Sequence, residues 1–90
     1  MKILEPYRQR IDALDDKLVD LLVERAKIIA EVAEIKAENN IPAVLQDRVD
    51  EVRERAVKRA VEQGADEHYM REIYTTIIRL SCEMEENHKS

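Results

Sequence analysis

The chain has 90 residues, 44% of them hydrophobic and 39% charged, with one Gly, two Pro and a formal net charge of -5. That size admits a single domain spanning residues 1–90, with a thin core, and acidity without a basic tract argues against a nucleic-acid partner. No apolar run approaches the length of a membrane span, no secretory leader is expected, and the lone Cys82 rules out an internal disulfide and fits a reducing cytoplasm.

Period-two alternation of β-branched residues is absent, so an all-α fold is expected. The first helix is predicted from about Pro6 to Asn39. Pro6 suits a first turn, where its missing N–H does no harm, and Asn39, Asn40 and Pro42 end the helix. Its apolar residues Leu4, Tyr7, Ile11, Leu14, Leu18, Leu21, Ile28, Val32 and Ile35 step by three and four, a heptad seam with one position left out. Such a helix is about 50 Å long, whereas a compact chain of this length has a radius of gyration of about 12 Å. The helix overshoots any monomer, and a second copy packed through it with two-fold symmetry is the economical cover.

The omitted seam position is Arg25. Together with Ile29, Val32 and Lys36 it forms one stripe, cationic at both ends and apolar between. A second helix is predicted from about Asp47 to Gln63, with a weak apolar face of Val49, Val52, Ala56 and Ala60 and with Gly64 as a left-handed stop. A third starts after Asp66, a good N-cap, and runs to about Asn87, the last residues with His88 and Lys89 being expected to fray. Its face is Met70, Ile73, Tyr74, Ile77, Ile78 and Met84, and the stripe continues into Ser81 and Glu85.

Each polar residue has a plain alternative. Arg25 could set register or snorkel, Lys36 could compensate the helix dipole, Arg48 could be an ordinary surface charge, Ser81 a small residue and Glu85 part of a solvated acidic string. What favours a site is that they fall on inward faces of three helices, where they would converge as a cationic pocket. No cofactor or metal is expected, because His68, His88 and Cys82 lack ligand spacing and no glycine loop could cradle a phosphate. Cys82, beside no histidine, reads as core filler. A pocket of Arg and Lys without a nucleophile suits a small dianion and electrostatic catalysis.

Four stretches carry a family resemblance: "RQRIDALDDKLVDLLVER", the lysine in "AEIKAENNIP", the arginine in "QDRV", and "YTTIIRLSCEMEE". Over nearly its full length the chain resembles the all-helical chorismate mutases. The resemblance implies an intertwined homodimer of three-helix subunits that rearranges chorismate to prephenate on the route to phenylalanine and tyrosine. It implies that Arg8, donated across the dimer, and Arg25, from the same subunit, grip the substrate carboxylates. Lys36 would bind a carboxylate and the enol ether oxygen, Arg48 would lie near the substrate, and Ser81 and Glu85 would close the site. Arg8 and Arg25 are seventeen residues apart, about 25 Å along one helix, so they share a pocket only if Arg8 comes from the partner.

Two departures stand out. The family commonly has a glutamate after the second-helix arginine, to bind the ring hydroxyl, where this chain has Val49; a loop aspartate is replaced by Leu45. The pattern resembles branches acting on other ligands, isochorismate pyruvate lyase and 4-amino-4-deoxychorismate mutase. Glu85 stands where many members have glutamine, and it must be protonated to donate a hydrogen bond, against the pull of nearby Lys36. A non-catalytic helical dimerisation or ligand-sensing module is the reading from another class.

Overall fold

The computed structural model describes residues 1–89. A single 3-10 turn, Lys2–Leu4, leads into α1 (Glu5–Glu38), followed by α2 (Gln46–Glu62) and α3 (Glu67–Lys89), with no strand among the described residues. Pro6 sits in the first turn of α1 as the sequence predicts.

Both interhelix breaks have a chemical cause. After α1, Asn40 takes a left-handed φ of 56°, and the Ile41 N–H returns to the Lys36 carbonyl at 2.8 Å. After α2, Gly64 takes φ 83°, and the Ala65 N–H bonds the Ala60 carbonyl at 3.0 Å. Both are Schellman turns, one using Asn and one Gly. Asp66 caps α3 by accepting the Tyr69 N–H at 2.8 Å. That helix extends through Lys89, two residues beyond the predicted end near Asn87; Ser90 lies outside the described residues. No helix is long and apolar enough to cross a membrane among the described residues.

Helix α3 is the shared element, packing against α1 on one side and α2 on the other. Its inward line is Tyr74, Ile77, Ile78, Ser81 and Glu85, with Ile78, Ser81 and Glu85 buried. Ile73 and Met84, predicted on the buried face, are exposed instead, because they project from the flank of that line by about a quarter turn. On α2 the buried pair is Val57 and Ala60, while Val49, Val52 and Ala56 are half-buried; the predicted face is rotated by the contact with α3. Arg71 on α3 clamps Glu54 on α2 with two hydrogen bonds of 2.6 and 3.0 Å.

The molecule measures 55 × 24 × 15 Å, with a radius of gyration of 16.4 Å. Its excess length is α1, whose residues 5–24 include none that is buried. Tyr7, Leu14, Leu21, Ile28 and Ile35, spaced by seven, are each 56–64% exposed. The chain exposes 7339 Å², against about 5,400 Å² for a compact monomer of its mass.

Candidate active site

Where α1 crosses α3, the Arg25 stripe faces Ser81 and Glu85. Arg25 Nη1 donates to Ser81 Oγ at 2.5 Å, and that hydroxyl donates onward to the Ile77 carbonyl at 3.0 Å. An arginine is tolerated in the seam because a small polar residue on α3 receives it. One end of its planar fork is thereby fixed, and its other donors remain for a ligand.

Lys36, from the last turn of α1, lies 2.7 Å from Glu85 Oε1 and donates to the Ala43 carbonyl at 2.9 Å. Glu85 Oε1 is buried and lacks an aligned hydrogen-bond donor, so the Lys36 contact is an ion pair at poor hydrogen-bonding angle. Ala43 is buried behind the Schellman turn, and its carbonyl ties the 39–45 loop to the end of α1. Sequence reasoning missed this residue, since a backbone acceptor leaves no residue-type signal.

Arg25, Lys36, Arg48, Val49, Ser81 and Glu85 line one cavity of about 250 Å³. Ile29, Val32, Leu45, Val52, Ile78 and Cys82 complete much of its apolar wall. Arg48 stands at the rim, largely exposed and ion-paired with Glu51. Arg8 is not brought there: it lies on the exposed first half of α1. The site therefore carries three cations and one carboxylate, over apolar walls that strengthen every charge contact made inside.

Cys82 is half-buried, and burial, then the charge of Glu85, pushes its thiol up, which makes it a poor nucleophile. No group of three or more His, Cys, Asp or Glu side chains that could hold a metal ion occurs among the described residues. A wider depression of about 340 Å³ on the other side of Val49 and Cys82 is a weaker candidate. Its cations are already paired, Arg53 with Asp50 and Glu54, and Arg79 with Glu83.

The chain is similar to proteins of one group. The family described as chorismate mutase type II matches residues 7–86. A 4-amino-4-deoxychorismate mutase of Streptomyces venezuelae is 31% identical over 83 residues, covering 92% of this chain and 81% of the relative. Its namesake in Streptomyces pristinaespiralis is also 31% identical, and there the match covers 92% of this chain and 64% of the relative. A chorismate mutase of Methanocaldococcus jannaschii is 32% identical over 75 residues, covering 83% of this chain and 76% of the relative.

Proposed function

The chain belongs to the chorismate mutase type II family, a family of isomerases, and from that premise we propose that it converts chorismate to prephenate as a homodimer with two composite sites. The observation that carries this reading is the cavity in which Arg25, Lys36 and Arg48 converge over apolar walls. The reaction is a pericyclic Claisen rearrangement: one C–O bond breaks and one C–C bond forms in a single step, with no proton or nucleophile needed. The flexible dianion must be held in a compact chair-like conformer with its reacting ends in contact. Arg25 and Arg48, with Arg8 of the second copy, would grip its carboxylates bidentately.

The ether oxygen gains negative charge as its bond stretches, so a donor aimed there binds the transition state better than the ground state. Lys36 is that donor. Two of its contacts hold it in place, Glu85 and the Ala43 carbonyl, and an ammonium has three N–H groups. Ser81 holds Arg25, and Glu85 closes the site from α3.

The dimer is supported by surface area. The chain exposes about 1,900 Å² more than a compact monomer of its mass, and burying that on two copies falls in the range of obligate interfaces. The heptad of exposed residues on α1 supplies the seam.

A second reading is favoured by Val49 and Leu45 on the cavity wall and by the two relatives named 4-amino-4-deoxychorismate mutase. With Val49 and Leu45 where a carboxylate could stand, that side of the wall gives up the hydrogen bond that selects a ring hydroxyl, a loss of about 1–3 kcal/mol of discrimination. The test is kcat/KM measured side by side on chorismate, 4-amino-4-deoxychorismate and isochorismate. A higher value for chorismate supports the first reading and a higher value for the amine the second. Pyruvate release from isochorismate as the fastest reaction overturns both, and turnover of none leaves the binding-module reading.

A further inference from the structure

Beside the cavity, and sharing Arg25, Arg48 and Val52 with it, lies a cleft of about 270 Å³ whose wall also includes Arg55, Arg59 and Tyr74. No acidic residue lines it. On α2, Arg48, Arg55 and Arg59 follow at steps of seven and four, one stripe with spacings of about 10 and 6 Å along the axis. Among the described residues the Arg55 and Arg59 guanidinium groups have neither ion pair nor hydrogen bond, whereas Arg53, Arg71 and Arg79 are all paired. A chain with net charge -5 thus leaves two unpaired cations next to its site.

The matching anions lie on α1. Asp12 and Asp15 follow Arg8 at steps of four and three, on the same flank of the apolar seam. Both are exposed, and neither has an ion pair among the described residues. The helix directions decide whether the two stripes could meet. Leu18 and Leu22 border Ile73 and Ile77, and further along Arg25 meets Ser81 and Lys36 meets Glu85; α1 and α3 therefore run the same way. Glu54 meets Arg71, while Val49 borders Cys82; α2 runs the opposite way. A second copy packed antiparallel across the α1 seam would run parallel to α2. With its Arg8 at the cavity beside Arg48, its Asp12 and Asp15 fall about 6 and 10 Å further along, against about 10 and 16 Å for Arg55 and Arg59, offsets that an arginine side chain leaning toward the N-terminus of α2 spans.

We propose that Arg55 and Arg59 receive Asp12 and Asp15 of the second copy, and that this ion-pair ladder sets the register that delivers Arg8 to the site. The proposal rests on the dimer of the preceding reading and adds what aligns it. Arg55 and Arg59 are positioning residues, acting through Arg8. The other occupant such a cleft could serve is the substrate dianion on its way in, and the experiment separates the two.

The test is a charge-reversal cycle: Arg55→Glu with Arg59→Glu, Asp12→Lys with Asp15→Lys, and all four together. Sedimentation equilibrium gives the dimer Kd, which needs no substrate. Turnover is then measured at protein concentrations far above each Kd, where every sample is dimeric. Either reversal should raise Kd about 100-fold and lower kcat/KM about tenfold even in the full dimer, because Arg8 is misplaced. The fourfold exchange should restore both to within about fivefold of the parent. A fourfold variant no better than the two reversals combined overturns the proposal. So does an unchanged Kd with a salt-sensitive loss of kcat/KM, which assigns the arginines to substrate capture. A dimeric parent with unaffected reversals overturns the ladder alone, whereas a monomeric parent overturns the dimer as well. Circular dichroism checks folding. Should the reversals not fold, the Arg55→Gln, Arg59→Gln pair takes their place, with an expected rise in Kd of about tenfold, and no rise overturns the proposal.

Discussion

Residues 5–24 and 25–38 of α1 are parts of one unbroken helix with one heptad rhythm, yet they have different surroundings. In the second part Ala33 is 2% exposed, and Arg25 and Lys36 are held by α3 and the loop after α1. In the first part no residue is buried, and Leu14 and Leu21 are 64% and 61% exposed. The difference is in what lies opposite, not in the helix itself. A heptad pattern states that a face must be covered without stating by which chain. Polar interruptions in the pattern carry the extra information: Arg25 and Lys36 occur where α3 offers Ser81 and Glu85.

The sharpest way to break this contrast is to remove one arginine from each part. Arg8→Ala and Arg25→Ala should each lower kcat/KM about a thousandfold, the loss expected when one partner of a desolvated charge contact is truncated. Mixed and allowed to exchange, the two proteins should recover about a quarter of the parent activity, since half of the dimers are mixed and each of these has one intact site. No recovery despite exchange confirmed by mass spectrometry would place both arginines in one subunit's site.

Leu14→Glu and Ala33→Leu probe the two parts by opposite means. The first should raise the dimer Kd about 100-fold and leave α2 and α3 folded, because it places a charge in a face that only another chain covers. The second should cost about 1–3 kcal/mol by overpacking the α1–α3 contact, read by urea denaturation, with Kd little changed. Equal effects of both on Kd would erase the distinction.

Opposite the second part, on α3, Glu85→Gln sharpens the account of the site. A carboxylate cannot donate to an ether oxygen that is gaining charge, and an amide can. The variant should therefore be about tenfold faster than the parent. Equal rates of the two proteins would show that Glu85 does not face the reacting oxygen.

The smallest effect is expected far from either part of α1. Hydrogen bonds from Arg71, then from Arg53, hold the Glu54 carboxyl down at about 2, against an ordinary value of 4.5. A depressed folded-state pKa contributes stability above pH 4.5 that is lost as pH falls through about 2. Glu54→Gln should thus lower Tm slightly at neutral pH and have no effect near pH 2. A difference in Tm that persists at pH 2 would mean that the Arg71 clamp is not the cause.

The three helices were legible in the sequence because Pro6, Asn39, Asn40, Gly64 and Asp66 punctuate it with residues whose backbone preferences are strong. Six of the seven predicted site residues line one cavity: helix periodicity put Arg25 with Lys36 and Ser81 with Glu85 on shared faces, whereas the places of Arg48 and Val49 rested on the family resemblance. Two kinds of feature were not legible. Rotation of α2 to bury Val57, and of α3 to expose Met84, is set by packing between helices, and a single helix's pattern leaves it free by about one position. The Ala43 carbonyl was invisible because backbone acceptors carry no residue-type signature. Arg55 and Arg59 carried no signal because nothing in α2 alone says that a cleft without acids lies beside them.

The bare first part of α1 has a consequence for how the protein folds. The α2–α3 hairpin joins neighbours in sequence and can form early. A stretch of twenty residues with no buried side chain is only marginally helical in water, so residues 5–24 gain full order when the chains meet. Refolding should then show a fast phase independent of protein concentration, from the hairpin, and a slower one whose rate rises with concentration. Amide hydrogen exchange should divide the same way: protection in residues 5–24 should grow with protein concentration, and protection in the middle of α3 should not.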